Sequence, residues 1–581
     1  MKTFLTLAML MAMNIQLNAQ TFDKNYKVEN NGNPISSCVF CADPTALEYH
    51  GRLYVYGTND HQSFIKRGKK GGIDYGDVKS LVIFSTDDMV NWTFHGTIDT
   101  QKLCSSWKKV TSWDDIPFAF HNSWAPSVVW RTNDKGEDEF FLYFANNSHG
   151  VGVLKASSPI GPWKSPLTTP LINNKTPGAL PNSANFDPGV VIDDNGTGWI
   201  TFGGLDPETG GTDLQPNTTR IAKLKPSMTA LDGAAIQIPA PYHFEANELN
   251  MIGGKYVFTY CSNWAERKDA DWNAYKREQG IDYSKPDLCT MCYMVSDNPT
   301  DSNSWKYKGV YGKHPGFPSP NNHSHLHKFQ GNYYYIYHWG VLMKKMLDER
   351  AIDSSSDGYR SICVNKATVD EDKQKISTVT LNMTGVSPIK KLNPFELQQA
   401  ETIATSGGIN YEDFKNISSN TAISTLGNDA SRNMQVKMVS GAWIMVRNVD
   451  FGQTGAKSFV FKAKGTGKVE IHFTKSDQPA ATLEFSSSSM QDHVLEIDPA
   501  KFQGTKNQVF FLFTEASNVQ FDAWQFFETE LSAITPVSNT ESQTSALYDL
   551  NGHRLSGAHS GLVIEQYQDA NGTIRARKRV K

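Results

Sequence analysis

Runs of alternating aromatic and β-branched residues, each introduced by a glycine or tight turn, recur along the first two thirds of the chain. The stretches are Gly51-RLYVY, Glu139-FFLYF, Gly198-WITF, Gly254-KYVFTY and Gly331-NYYYIY. Period-two alternation behind a turn predicts the second strand of a β-hairpin each time. A second phrase follows some of them: "STDDMVNWTFHG", "ASSPIGPWKSP" and "VSDNPTDSNSWKYKG". Units of about 60 to 85 residues repeated five times over roughly residues 37–375 predict an all-β fold, a five-bladed β-propeller within residues 20–390. An irregular β-sandwich would not explain the repeated order.

The pattern changes near Asn393. From "FELQQAETIA" to "NVQFDAWQFFE", short strand-like runs follow one another almost without helical periodicity. Residues 393–528 therefore predict a second domain, a β-sandwich of jelly-roll type. Residues 529–545 are polar and read as a linker. Residues 546–581 form a C-terminal tail too short for a strong core of its own. Its basic end reads as a solvated terminus rather than a binding site.

The N-terminus adds the compartment. Lys2, the apolar run FLTLAMLMAM and the small residue Ala19 have the layout of a signal peptide over residues 1–19. Export to the periplasm, cell surface or medium is expected. No later stretch approaches the roughly 20 apolar residues of a membrane helix, so no transmembrane segment is expected.

Charge narrows the partners. With 56 Lys plus Arg against 60 Asp plus Glu, the net charge of −4 carries no basic excess, which argues against nucleic acid. The pairs Cys38/Cys41 and Cys289/Cys292 lie about 250 residues apart, far from any zinc-ribbon spacing. The odd total of seven cysteines leaves at least one thiol unpaired within the chain.

In a propeller the first strands of all blades line one channel, so equivalent positions converge. Asp43 lies eight residues before Gly51, Asp187 nine before Gly196, Glu245 nine before Gly254, and His323 eight before Gly331. Blade two offers Trp124 slightly further back. Converging carboxyls suit glycosidic cleavage, in which one acid protonates the leaving oxygen and another, ionised, activates water. The alternative use of the same oxygens is a calcium site without catalysis.

At these residues the chain resembles the family 43 glycoside hydrolases, and most of all the arabinoxylan arabinofuranohydrolases among them. The phrases that carry the likeness are "ADPTALEYHGRLYVY", "SWAPSVVW", "FLYFANNSHGVGVLKASSPIGPW", "FDPGVVIDDNGTGW", "FEANELNMIGGKY", "NNHSHLHKF" and "GYRSICVNK". The resemblance implies a five-bladed propeller acting by inversion, without a cofactor for catalysis. It makes Asp43 the general base, Glu245 the general acid and Asp187 the acid that tunes and orients it. Blade register favours Glu245 over the nearby Glu248. It further implies sugar-facing aromatics at Trp124 and Trp264, polar substrate contacts at Asn321 and Arg360, and an axial histidine at His323. Ser324 stands where that phrase usually has a second histidine, with His325 one further on.

The second domain resembles a family 6 carbohydrate-binding module through "QAETIA", "SGAWIMVRNVDFG", "GKVEIHF" and "VQFDAWQF". This implies Glu401 and Asp522 as ligands of a structural calcium, with Gln399 in place of a usual glutamate. Gln520 stands where an asparagine commonly contacts sugar. The tail is similar to C-terminal sorting regions of exported proteins. The expected activity is an exported, inverting α-L-arabinofuranosidase trimming arabinoxylan, a plant cell-wall polysaccharide, as a monomer. A β-xylosidase of the same family and a non-catalytic glycan-binding protein are the alternatives.

Overall fold

A computed structural model describes residues 22–67, 70–180, 184–204, 213–316, 321–416, 434–531, 544–548, 562–568 and 574–580. The segment expected to be a signal peptide, residues 1–19, and most of the expected linker lie outside the described residues. Each aromatic run is the second strand of an antiparallel hairpin: Arg52–Thr58, Asp138–Ala145, Gly198–Gly203, Lys255–Ser262 and Asn332–Trp339. Each pairs with a preceding strand: Ala42–Tyr49, Trp124–Thr132, Gly189–Ile192, His243–Ile252 and Ser324–Phe329. Further antiparallel strands complete five blades. The protein is mainly β, as the alternation predicts. Of the four α-helices among the described residues, Asp60–Arg67, Asp269–Gln279 and Val341–Asp348 interrupt connections within blades, and Thr100–Leu103 lies between the first two blades.

The aromatic runs are core because alternation puts every second side chain between blades. Phe140, Leu142, Phe144 and Tyr56 pack together between the first two blades, and Tyr293, Tyr335 and Tyr337 between the last two. The chain before Ala42 lies along blade five, where Ile35 N–H donates to Ile362 O at 2.9 Å and Asn33 Nδ2 to Val364 O at 3.1 Å. Both ends of the ring are thereby tied.

The second domain is a β-sandwich. Its 23-residue strand Thr505–Phe527 pairs with Trp443–Asp450 and Met434–Met438, and also with Ser458–His472. Phe459, Phe461, Phe511, Phe521 and Phe526 fill its interior. The sandwich and propeller form one compact unit ending at Leu531. Blade one is closed by a fifth strand from the sandwich segment, Thr402–Ile403, which pairs with Thr93 and Trp92. One apolar cluster runs from Leu53, Phe84 and Phe94 of blade one to Tyr411, Phe414 and Val436 of the sandwich. The segment after residue 21 also crosses between them: Asp23 N–H donates to Gly441 O at 2.9 Å, and Lys27 Nζ to Ala404 O at 2.7 Å. The tail is a separate unit with a three-stranded antiparallel sheet, Thr544–Tyr548, Leu562–Gln568 and Ile574–Val580.

Candidate active site

The first strands of four blades share one irregularity. Their ladders skip between Ala42 and Thr45, Trp124 and Ser127, and Glu245 and Glu248. In blade three the same step runs from Phe186, whose carbonyl accepts from Gly203 N–H, to Gly189 opposite Thr201. Inside each step one residue has positive φ: Asp43 at 47°, Ala125 at 37°, Asp187 at 48° and Ala246 at 62°. Such a conformation costs about 1–2 kcal/mol per non-glycine residue, so the surrounding sheet must enforce it. The kink turns the residues at the strand start toward the channel mouth.

This geometry corrects the register argument for Glu245. The position equivalent to Asp43 and Asp187 is Ala246, and Glu245 sits one residue earlier, matching Ala42, Trp124 and Phe186. The bulge is common to blades one and four, so a strict count back from Gly254 reaches Ala246, one residue past Glu245. Glu248 is equivalent to Thr45, Ser127 and Gly189, one layer deeper. It is fully buried, with Oε2 3.4 Å from Ser127 Oγ and 3.3 Å from His325 Nδ1.

Asp43, Asp187 and Glu245 share one pocket, and their environments differ. Asp43 Oδ1 accepts from Arg360 Nη1 at 2.8 Å and Oδ2 from the Thr58 hydroxyl at 2.7 Å. Its N–H donates to His338 Nδ1 at 3.1 Å, and His323 Nδ1 lies 3.7 Å from Oδ1. Burial alone would raise this carboxyl, but the Arg360 guanidinium beside it holds it well below the usual range. Burial pushes His323 down to about 3, so its imidazole is neutral.

Glu245 is half-buried, and its Oε1 accepts from Asn321 Nδ2 at 2.8 Å. Burial, then the charges of Asp187 and Asp43, raises its carboxyl well above the usual range. Because Oε1 accepts, the acid proton belongs on Oε2. Asp187 Oδ2 accepts from Ala246 N–H at 2.8 Å, and its carbonyl accepts from Asn247 Nδ2 at 3.0 Å, which ties it to the strand that carries Glu245. Burial and Asp43 raise it too. Two carboxyls shifted upward by burial and by each other thus face one that Arg360 holds ionised.

Arg360 joins these parts. Its Nη1 also donates to Asn321 Oδ1 at 2.9 Å, so a single asparagine bridges Arg360 and Glu245. Trp124 is half-buried at the rim, with Nε1 donating to Tyr75 O at 3.0 Å and its ring edge-on to Tyr75. Trp264 is 43% exposed and follows the second strand of blade four. Glu401 and Asp522 lie apart from this pocket, buried in the sandwich.

Sequence reasoning missed Thr58, His338, Tyr75 and Asp60. Thr58 and His338 stand at or near the ends of second strands, which return to the face where first strands begin. The hairpins therefore carried that signal. Asp60 and Tyr75 follow blade one's second strand in a stretch without repeat, where no equivalence could point to them.

A protonated acid and an ionised base beside bound sugar can protonate a leaving oxygen and activate water. The comparisons agree with that chemistry. The family model of glycosyl hydrolases family 43 matches residues 31–373. The arabinoxylan arabinofuranohydrolase of Paenibacillus polymyxa is 32% identical over 575 residues, covering 96% of this chain and 83% of that protein. A xylosidase/arabinosidase of Bacteroides ovatus is 26% identical over 318 residues, 52% of this chain and 86% of that protein. The crystal structure of a family 43 arabinoxylan arabinofuranohydrolase from Bacillus subtilis, in complex with cellotetraose, is 31% identical. It superposes with a TM-score of 0.72 over 88% of this chain and 99% of that one. The matched residues span all five blades and the three acids, and the chain belongs to glycoside hydrolase family 43.

Proposed function

We propose that this glycoside hydrolase removes α-L-arabinofuranosyl side chains from arabinoxylan with inversion. The observation that carries the chemistry is the linkage of two carboxyls through Arg360 and Asn321, with the guanidinium on Asp43 holding that acid low and burial pushing Glu245 up. Glu245 gives its Oε2 proton to the leaving xylose oxygen while Asp43 draws the proton from a water attacking the anomeric carbon. Asp187, bonded to Ala246 N–H, fixes the strand that carries Glu245 and keeps it protonated by its proximity. The substrate assignment rests on the relatives that share most of the chain's length. Release of β-xylose is the second reading, favoured by the xylosidase/arabinosidase relative.

Incubation with an aryl arabinofuranoside, an aryl xyloside and arabinoxylan separates these readings. NMR of the first-formed anomer reports inversion. Binding without release of reducing sugar from any of them would sink the hydrolytic assignment.

We further infer an exported monomer whose sandwich is a family 6 carbohydrate-binding module used mainly as a scaffold. Export rests on the leader pattern of residues 1–19. The scaffold role rests on the fifth strand given to blade one and on the shared apolar cluster. Two oxygens of the sandwich fit a calcium ion, Gln399 Oε1 and Glu401 Oε2, which are buried without a hydrogen-bond donor; Asp522 acts on Glu401 by its charge and would exchange its Lys462 ion pair, at 2.8 Å, for the metal. Gln399, Glu401 and Asp522 would hold it as oxygen donors. When bound, the ion supplies charge that lets Glu401 ionise, against the burial that otherwise raises it well above the usual range.

A further inference from the structure

Asp60 belongs to none of the assignments made above, yet it is the most committed carboxylate of the pocket floor. It opens the helix Asp60–Arg67 and is completely buried. Arg360 donates to it three times: backbone N–H to Oδ2 at 3.1 Å, Nε to Oδ2 at 2.9 Å, and Nη2 to Oδ1 at 2.9 Å. A two-pronged guanidinium–carboxylate pair fixes the plane of the guanidinium as well as its charge. The added backbone bond fixes the residue that carries it.

With Nε and Nη2 taken, Nη1 is aimed by the plane those two bonds define. It reaches Asp43 Oδ1 and Asn321 Oδ1 together. The Asn321 carbonyl, once engaged, turns its amide Nδ2 toward Glu245 Oε1. The acid and the base are therefore set by one guanidinium, and that guanidinium is set by Asp60.

We propose that Asp60 is a positioning residue for hydrolysis, acting through Arg360 to fix the placement of Asp43 and, through Asn321, of Glu245. This rests on the reading of Asp43 and Glu245 as base and acid. The titratable and charged groups facing Asp43 are Arg360, Asp60, His323, His338, Asp187, Glu245 and the buried Cys41 thiol, with the Tyr75 ring against Arg360 at 5.2 Å. Among them Arg360 has the strongest lowering effect on Asp43. Loosening it lets Asp43 return toward the ordinary carboxylate range.

The test compares full-length wild type, Asp60→Asn and Asp60→Glu on whichever aryl glycoside the wild type hydrolyses. Asp60→Asn keeps the shape but places an N–H group or a neutral oxygen against the fork. Its kcat is expected to fall about 10²-fold or more, with KM changed less than about threefold. An acid limb in kcat/KM should appear near pH 4, where the wild type is flat. Asp60→Glu, which keeps the charge, should recover at least about tenfold of the lost kcat. Thermal unfolding of each variant accompanies the kinetics. An Asp60→Asn enzyme with wild-type kcat overturns the proposal. So does an activity loss that follows a lowered Tm with the acid limb unmoved, or an Asp60→Glu enzyme no better than Asp60→Asn. A wild type that cleaves neither aryl glycoside would instead remove the reading on which the proposal stands.

Discussion

The hydroxyl of Thr402, in the segment that leads into the sandwich, lies 2.8 Å from that of Thr93, in the outer strand of blade one, and the two residues pair across the ladder. The sandwich thus completes a blade. Cutting the chain after Asn393 leaves that strand edge bare and exposes part of an apolar cluster. The truncated propeller should precipitate, or melt more than about 10 °C below the full chain. Differential scanning of both proteins checks this, and an unchanged Tm would return the sandwich to the role of a detachable binder.

The opposed protonation of the two acids makes distinguishable variants. Asp43→Asn and Glu245→Gln should each lose about 10²–10⁴-fold in kcat. Only Glu245→Gln should regain activity on a substrate whose leaving phenol needs no proton. Glu248→Gln, buried one layer below, should stay within about threefold of wild type. Steady-state kinetics on two aryl leaving groups decides among these.

Activity should be flat through the mildly acid range and fall on the alkaline side. Asp43 stays ionised because Arg360 holds its carboxyl down, so acid does not disarm it until well below the ordinary range near 4. Alkali removes the Glu245 proton, whose release burial and Asp187 delay. A kcat/KM profile with an acid limb above about pH 5 would contradict the Asp43 pairing.

The same carboxyl should cost stability as pH rises. A buried Glu whose folded pKa is raised binds more protons folded than unfolded, so stability is lost as pH climbs above the unfolded value near 4.3. Glu245→Gln carries no such charge. Its Tm should match the wild type near pH 4 and exceed it near pH 8, a difference measurable by thermal unfolding in two buffers.

Chelation tests the sandwich. If calcium occupies the Gln399, Glu401 and Asp522 oxygens, EDTA should lower Tm and added calcium should restore it. Glu401→Gln should abolish the response. An identical melting curve with and without chelator removes the ion from the account.

Much of this architecture was legible because alternation at period two survives in the hairpins, from RLYVY of blade one to NYYYIY of blade five. Asp43 and Asp187 were legible as equivalents for the same reason. What escaped was local. Blades one and four share the same two-residue turn and the same bulge, so the one-residue difference between the spacing of Asp43 to Gly51 and that of Glu245 to Gly254 is a true offset, and Ala246 and not Glu245 is the counterpart of Asp43. Asp60 sits in an unrepeated helix whose importance depends on Arg360, 300 residues away. The Thr402–Ile403 strand is two residues long, below what alternation can signal.

The kinks at Ala125 and Ala246 have the same backbone as those at Asp43 and Asp187, although they carry only methyl groups. The strained backbone is therefore a property of the blade, formed whether or not a reactive group rides on it. Chemistry in this protein is mounted on standard fittings, two of which hold acids and two of which are blank. A lineage built on such a frame can change its reaction by exchanging side chains at the kinks, with the barrel of strands left as it was.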